Sequence, residues 1–176
     1  MPLLKRIPLA IAAIALVLLP GATNVGASAP ATHFIAHLTG AQEVPPTDSA
    51  GTGKLDIRLV SGGTKLRFKL TSNGVTQITQ SHIHIGAPGV IGPVTVYFFA
   101  PPPIGWNGGS VTGDNFEVAG VRTAADVHQA TNPAITFADL VAALRSGNSY
   151  VNIHSPTHPG GEIRGVIKPV GENEED

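Results

Sequence analysis

Two six-residue runs, Lys54-Leu-Asp-Ile-Arg-Leu59 and Lys65-Leu-Arg-Phe-Lys-Leu70, alternate strictly between polar and apolar residues. Successive side chains of a strand point to opposite faces, so Leu55, Ile57 and Leu59 gather on one side, as do Leu66, Phe68 and Leu70. A helix would scatter the same residues around its circumference. Ser61-Gly-Gly63 between the runs supplies the backbone freedom of a tight turn. The pair is therefore a hairpin with one face to bury, and a lone hairpin is barely stable in water. The rest of the chain has to complete its sheet.

The remaining segments supply that sheet. Thr32 to Thr39 reads as a first strand, and Ala41 to Gly53, rich in Gly, Pro, Ser and Thr, as a loop. Asn73-Gly74 marks a turn. Ile78 to Ile85, Val94 to Phe99, Asn115 to Arg122, Ser149 to His154 and Glu162 to Lys168 read as further strands. One helix interrupts them. Phe137, Leu140, Val141 and Leu144 fall at helical spacing, Thr136 can cap with Asp139 three residues on, and Gly147 suits the stop. The expected fold is mostly β: an antiparallel Greek-key β-sandwich or flattened barrel of about eight strands with one helix insert.

The chain has 176 residues, and residues 32–169 are expected to form its single domain. At the N-terminus, basic Lys5 and Arg6 precede the uncharged run Ile7 to Leu19, and Pro20-Gly21 follows. As a helix that run spans about 20 Å, short of a ~30 Å bilayer core. Residues 1–31 thus read as a secretory signal peptide, cleaved after Ala27 or Ala31. The expected product is exported, periplasmic or secreted, without membrane attachment. Residues 170–176, with Glu172, Glu174, Glu175 and Asp176, read as a disordered acidic tail.

Composition removes several classes of function. Charged residues are 13% and the net charge is −1, which argues against a nucleic-acid partner. With no cysteine, the chain has no disulfide, thiolate metal ligand or thiol nucleophile. No Gly-X-Ser-X-Gly or Gly-X-X-X-X-Gly-Lys motif occurs. No catalytic residue is assigned.

The histidines carry the remaining chemistry. In Ser81-His-Ile-His-Ile85, Ile83 and Ile85 take one face, and His82 and His84 the other, about 7 Å apart at Cβ. In Tyr150-Val-Asn-Ile-His154, Val151 and Ile153 face inward, and Tyr150, Asn152 and His154 share the opposite side. If these two strands adjoin, three neutral imidazoles converge, a donor set that suits zinc or copper. His158 and Glu162 are candidate further ligands or supports, and Arg164 a candidate anion-binding group. His33, His37 and His128 read as ordinary histidines, and Trp106 as a loop anchor.

Three landmarks together resemble a known family. His37-Leu-Thr-Gly-Ala-Gln-Glu-Val-Pro-Pro46 with Ala50-Gly-Thr-Gly53, then His82-Ile-His-Ile-Gly86, then Tyr150-Val-Asn-Ile-His-Ser with Pro159-Gly-Gly-Glu-Ile-Arg-Gly165 are similar to the CHRD domain, over about Thr32 to Lys168. That module is named for chordin and is also found in microbial exported proteins. The resemblance implies an extracytoplasmic, non-catalytic module with an extracellular or cell-envelope ligand; the Cys-rich repeats that accompany it in chordin have no counterpart here. A second resemblance is to the copper/zinc superoxide dismutase fold, with His82 and His84 as its His-X-His, His154 as its late His, and Arg164 with Gly165-Val-Ile167 as its close. That family's cysteines and His/Asp-rich zinc loop are missing, so this resemblance implies a mononuclear site. The functional expectation is a non-catalytic exported binding module, with a mononuclear copper- or zinc-binding protein as the alternative.

Overall fold

A computed structural model describes residues 29–100, 115–128 and 135–171. Most of the expected leader, the segment containing Trp106 and residues 172–176 of the acidic tail lie outside the described residues. The strands are β1 (His33–Thr39), β2 (Thr52–Val60), β3 (Lys65–Asn73), β4 (Gln80–Ile85), β5 (Val94–Phe99), β6 (Asn115–Arg122), β7 (Ser149–His154), β8 (Ile163–Val166) and β9 (Lys168–Pro169). One α-helix, α1 (Phe137–Ser146), precedes β7.

The alternating runs form the expected hairpin. Leu55 pairs with Leu70, Ile57 with Phe68 and Leu59 with Leu66, and all six are buried. Around them the strands run β5-β4-β7-β8-β1-β2-β3-β6, with β9 on β1, and every pairing is antiparallel. The two ends of this order meet at a seam to which Arg122 contributes. From β6, Arg122 donates from Nε to the Tyr97 carbonyl at 2.8 Å and from Nη2 to the Phe98 carbonyl at 3.1 Å, both on β5. A bridge between Val96 and Val127 extends the seam. The sheet is thus a nearly closed barrel, and the Phe68 and Phe98 rings stack across its interior at 4.0 Å.

Helix α1 forms for the reasons its sequence gives. Thr136 Oγ1 accepts from Asp139 N at 3.1 Å, and the Asp139 carboxylate accepts from Thr136 N at 2.8 Å. Gly147 ends the helix in the left-handed region at φ 71°. Leu140 and Leu144 are fully buried in the main core. Among the described residues no helix is long and apolar enough to cross a membrane.

Several boundaries differ from those read in the sequence. The loop expected over 41–53 holds a short 3-10 turn, Gly40–Gln42, and β2 begins inside it at Thr52. β4 begins at Gln80 rather than Ile78, because Gln77 takes a positive φ of 56° and Ile78 turns into the core. The closing strand divides into β8 and β9 at the buried Ile167. Val170, the first residue of the expected tail, is held to the sheet, donating its N–H to the His33 carbonyl at 3.0 Å.

Candidate metal centre

The strands that carry the singled-out histidines are antiparallel neighbours. His82 on β4 lies opposite Asn152 on β7, His84 opposite Tyr150, and Gln80 opposite His154. His154 is therefore the diagonal neighbour of His82, within reach across the pleat. The His82 ring centroid lies 4.6 Å from that of His84 and 4.6 Å from that of His154. One ligand nitrogen from each ring falls within 4.8 Å of the others. On its other edge β4 shifts register against β5 at Ser81/His82 and again at Ile83/His84. Such irregularities re-aim side chains, here at the two histidines.

The face opposite Ile83 is covered as well. His82 is 2% exposed, His84 8% and His154 5%. The strand alternation separates imidazoles from aliphatic core; it does not place them in solvent. Tyr150 stacks on His84, with centroids 4.5 Å apart and planes 7° from parallel. Tyr97 meets His82 edge-on at 5.0 Å. The segment between β4 and β5 closes over His84, with the Gly92 carbonyl against its ring. A Cβ at Gly92 would collide with the Ile85 carbonyl, so glycine is required for this close approach.

Two backbone carbonyls fix the ring tautomers. His84 Nδ1–H donates to the Gly92 carbonyl at 2.8 Å, and His154 Nδ1–H donates to the Pro159 carbonyl at 3.0 Å. A carbonyl only accepts, so Nδ1 carries the proton in both rings and Nε2 keeps its lone pair. Both Nε2 atoms, and His82 Nδ1, are buried and make no hydrogen bond of ordinary length, the Asn152 side chain being the polar neighbour that acts on His84. Leaving such atoms unpaired costs about 1–3 kcal/mol each. Carbonyl-oriented imidazoles with free lone pairs are also the usual arrangement of metal-ligating histidines.

The protonation states fit the same picture. Burial, then the neighbouring His84, His154 and His128 rings, hold the His82 pKa down at about 2. Burial brings that of His84 to about 4 and also lowers that of His154. All three rings are neutral near pH 7, which is the ligating form. Bonds of ~2.0–2.1 Å span at most about 4.2 Å between nitrogens across one ion, so small ring rotations close the group around a metal. This buried three-His group could hold a metal ion.

The supporting residues divide into two clusters. Arg164 on β8 is 2% exposed. Its guanidinium carbon lies 3.3 Å from the Tyr150 ring centroid, and its Nη2 donates to the Val90 carbonyl at 2.9 Å. The carboxylate whose charge acts on it is Glu43, itself 6% exposed. Burial raises the Glu43 pKa, and Arg164 opposes that rise. His158 and Glu162 stand together elsewhere. His158 contacts Asp48 at 3.4 Å and Glu162 at 3.5 Å, while Glu162 also accepts from Ser49 Oγ at 2.8 Å. These contacts tie the 47–49 segment to the loop whose Pro159 carbonyl orients His154, and neither residue belongs to the three-imidazole group.

Two residues, Glu43 and His128, have roles that the sequence does not give; Glu43 reads there as one of three candidate acids with Asp48 and Glu162. His128, read as an ordinary histidine, meets Tyr97 edge-on at 5.5 Å and lowers the His82 pKa. It is brought there by the bridge between Val127 and Val96, a pairing that no local pattern announces. His33 behaves as expected, meeting Asp56 at 2.9 Å.

Comparison with known proteins gives one family. The sequence pattern of the CHRD domain matches residues 34–167. No curated protein matches the chain.

Proposed function

The chain belongs to the CHRD domain family, and from that premise we propose that it is an exported, non-catalytic metal-binding module that holds a single copper or zinc ion on His82, His84 and His154. The observation that carries this reading is the set of three buried ring nitrogens without hydrogen-bond partners, on rings whose ligand atoms lie within 4.8 Å of one another. A structural histidine cluster would gain by pairing those atoms with protein donors. Here, backbone carbonyls turn two of the rings so that their lone pairs stay free. Three nitrogen donors without a thiolate suit copper and zinc better than calcium or magnesium, which take oxygen. Ligands that are each at most 8% exposed favour holding an ion over turning over a substrate.

The test is titration of the purified protein with copper and zinc, compared with His82→Ala and His84→Ala. Wild type is expected to bind one equivalent at or below about 1 μM, near 8 kcal/mol. Both variants should lose that binding while keeping the β signature in circular dichroism. Equal affinity in folded variants removes the three-His site.

A further inference from the structure

The charge of the groups around the three imidazoles selects among the ions that such a donor set accepts. Resting on the three-His reading above, we propose that the site is selective for the monovalent cuprous ion over Cu(II) and Zn(II), and that the buried Arg164 guanidinium sets this preference through the Tyr150–His84 stack.

Two observations carry it. The first is the donor set: His82, His84 and His154 are all neutral ligands, and among the described residues no carboxylate belongs to the group. All three are buried. The cost of bringing an ion out of water grows with the square of its charge, so a dication incurs about four times the penalty of a monocation. A site that offers no anionic ligand leaves that difference uncompensated. Copper(I) is also content with two or three nitrogens, whereas a dication in a three-His site ordinarily completes its shell with water or hydroxide.

The second observation is the fixed positive charge. Arg164 is buried, with its guanidinium 3.3 Å from the Tyr150 centroid, and the Tyr150 ring stacks on His84 at 4.5 Å. A guanidinium stays charged at any working pH. That charge acts more strongly on a dication than on a monocation at the same place. Glu43 is the carboxylate whose charge offsets it. Glu43 and Arg164 therefore bias the same equilibrium in opposite directions, and substitutions at the two positions should move it oppositely.

The experiment measures affinities for Cu(I), Cu(II) and Zn(II) at pH 8, the first under anaerobic competition with a chromophoric cuprous chelator. Full-length wild type is compared with Arg164→Gln and Glu43→Gln, with folding checked by circular dichroism. Wild type should bind Cu(I) more tightly than either dication. Arg164→Gln should narrow the Cu(I)/Cu(II) preference about tenfold, which is about 59 mV in the copper potential, and Glu43→Gln should widen it. If Arg164→Gln does not fold, the widening in Glu43→Gln decides alone. A wild type that binds a dication as tightly as Cu(I) overturns the proposal. So does a Cu(I)/Cu(II) ratio that fails to move as stated in the folded variants. Tight binding of dications that is lost in His82→Ala would overturn cuprous selectivity yet keep the metal site; no binding of any ion removes both.

Discussion

His84 and Tyr150 lie directly opposite each other on β4 and β7, and their rings stack nearly parallel at 4.5 Å. Both are also fastened to Gly92: the Tyr150 hydroxyl accepts from its N–H at 3.2 Å, and its carbonyl accepts from His84 Nδ1 at 2.8 Å. Tyr150→Phe removes one hydrogen bond and keeps the stack. It should cost about 0.5–1.5 kcal/mol in urea unfolding and leave metal affinity within a few-fold. Tyr150→Ala removes the ring and should cost about 3–5 kcal/mol. A large affinity loss in Tyr150→Phe alone would show that the hydroxyl, rather than the stack, positions His84.

His82 separates binding from stability. Its Nδ1 is buried and unpartnered, and the side chain is 2% exposed. Replacing a buried polar group that lacks a partner with an apolar group of similar size can be neutral or stabilising. His82→Leu should therefore leave the metal-free protein as stable as wild type, or more stable by about 1 kcal/mol, while abolishing metal binding. Calorimetry of the metal-free proteins checks this; a clear fall in melting temperature would mean that the ring contributes to packing in its own right.

Acid should weaken the metal-free fold well before the carboxylates titrate. A histidine in the unfolded chain titrates near 6.5. The folded values are held lower, about 4 for His84 and about 2 for His82, with His154 lowered as well. Below pH 6.5 the unfolded chain takes up protons that the buried rings refuse, so stability falls as pH falls. Each excluded proton contributes about 1.4 kcal/mol per pH unit. The loss should run from about 6.5 towards the folded values and be absent above pH 7. Urea midpoints across pH 4–8 measure it, and His82→Leu should flatten the slope by about one proton. A slope unchanged by that substitution would place the titration elsewhere.

Arg122 helps to close the barrel. Two of its guanidinium nitrogens donate to β5 carbonyls, at 2.8 and 3.1 Å. Hydrogen bonds from a charged donor are worth about 1.5–3 kcal/mol each. Arg122→Met should destabilise the protein by about 2–4 kcal/mol and speed hydrogen exchange at the facing edges of β5 and β6, with little effect on β1–β2. Uniform change across all strands would argue against a local seam.

The sequence by itself determined the local elements, because each had its cause within a few residues. Strict alternation fixed the β2–β3 register, since a slip of one residue would expose Leu55, Ile57 and Leu59 together. Thr136, Asp139 and Gly147 fixed both ends of α1. The faces of β4 and β7 followed from their aliphatic positions, so His82, His84 and His154 could be grouped before any pairing was known. Tertiary structure alone decided whether β4 and β7 adjoin, which way each ring turns, and what covers the imidazole face. Those depend on the Gly92 and Pro159 carbonyls, presented by the loops that follow β4 and β7, and on Arg164, which β8 brings against Tyr150. Burial, and with it the neutral state of the three rings, belongs to that assembled face; side-chain alternation can assign a residue to one side of a strand but cannot say what will be packed against it.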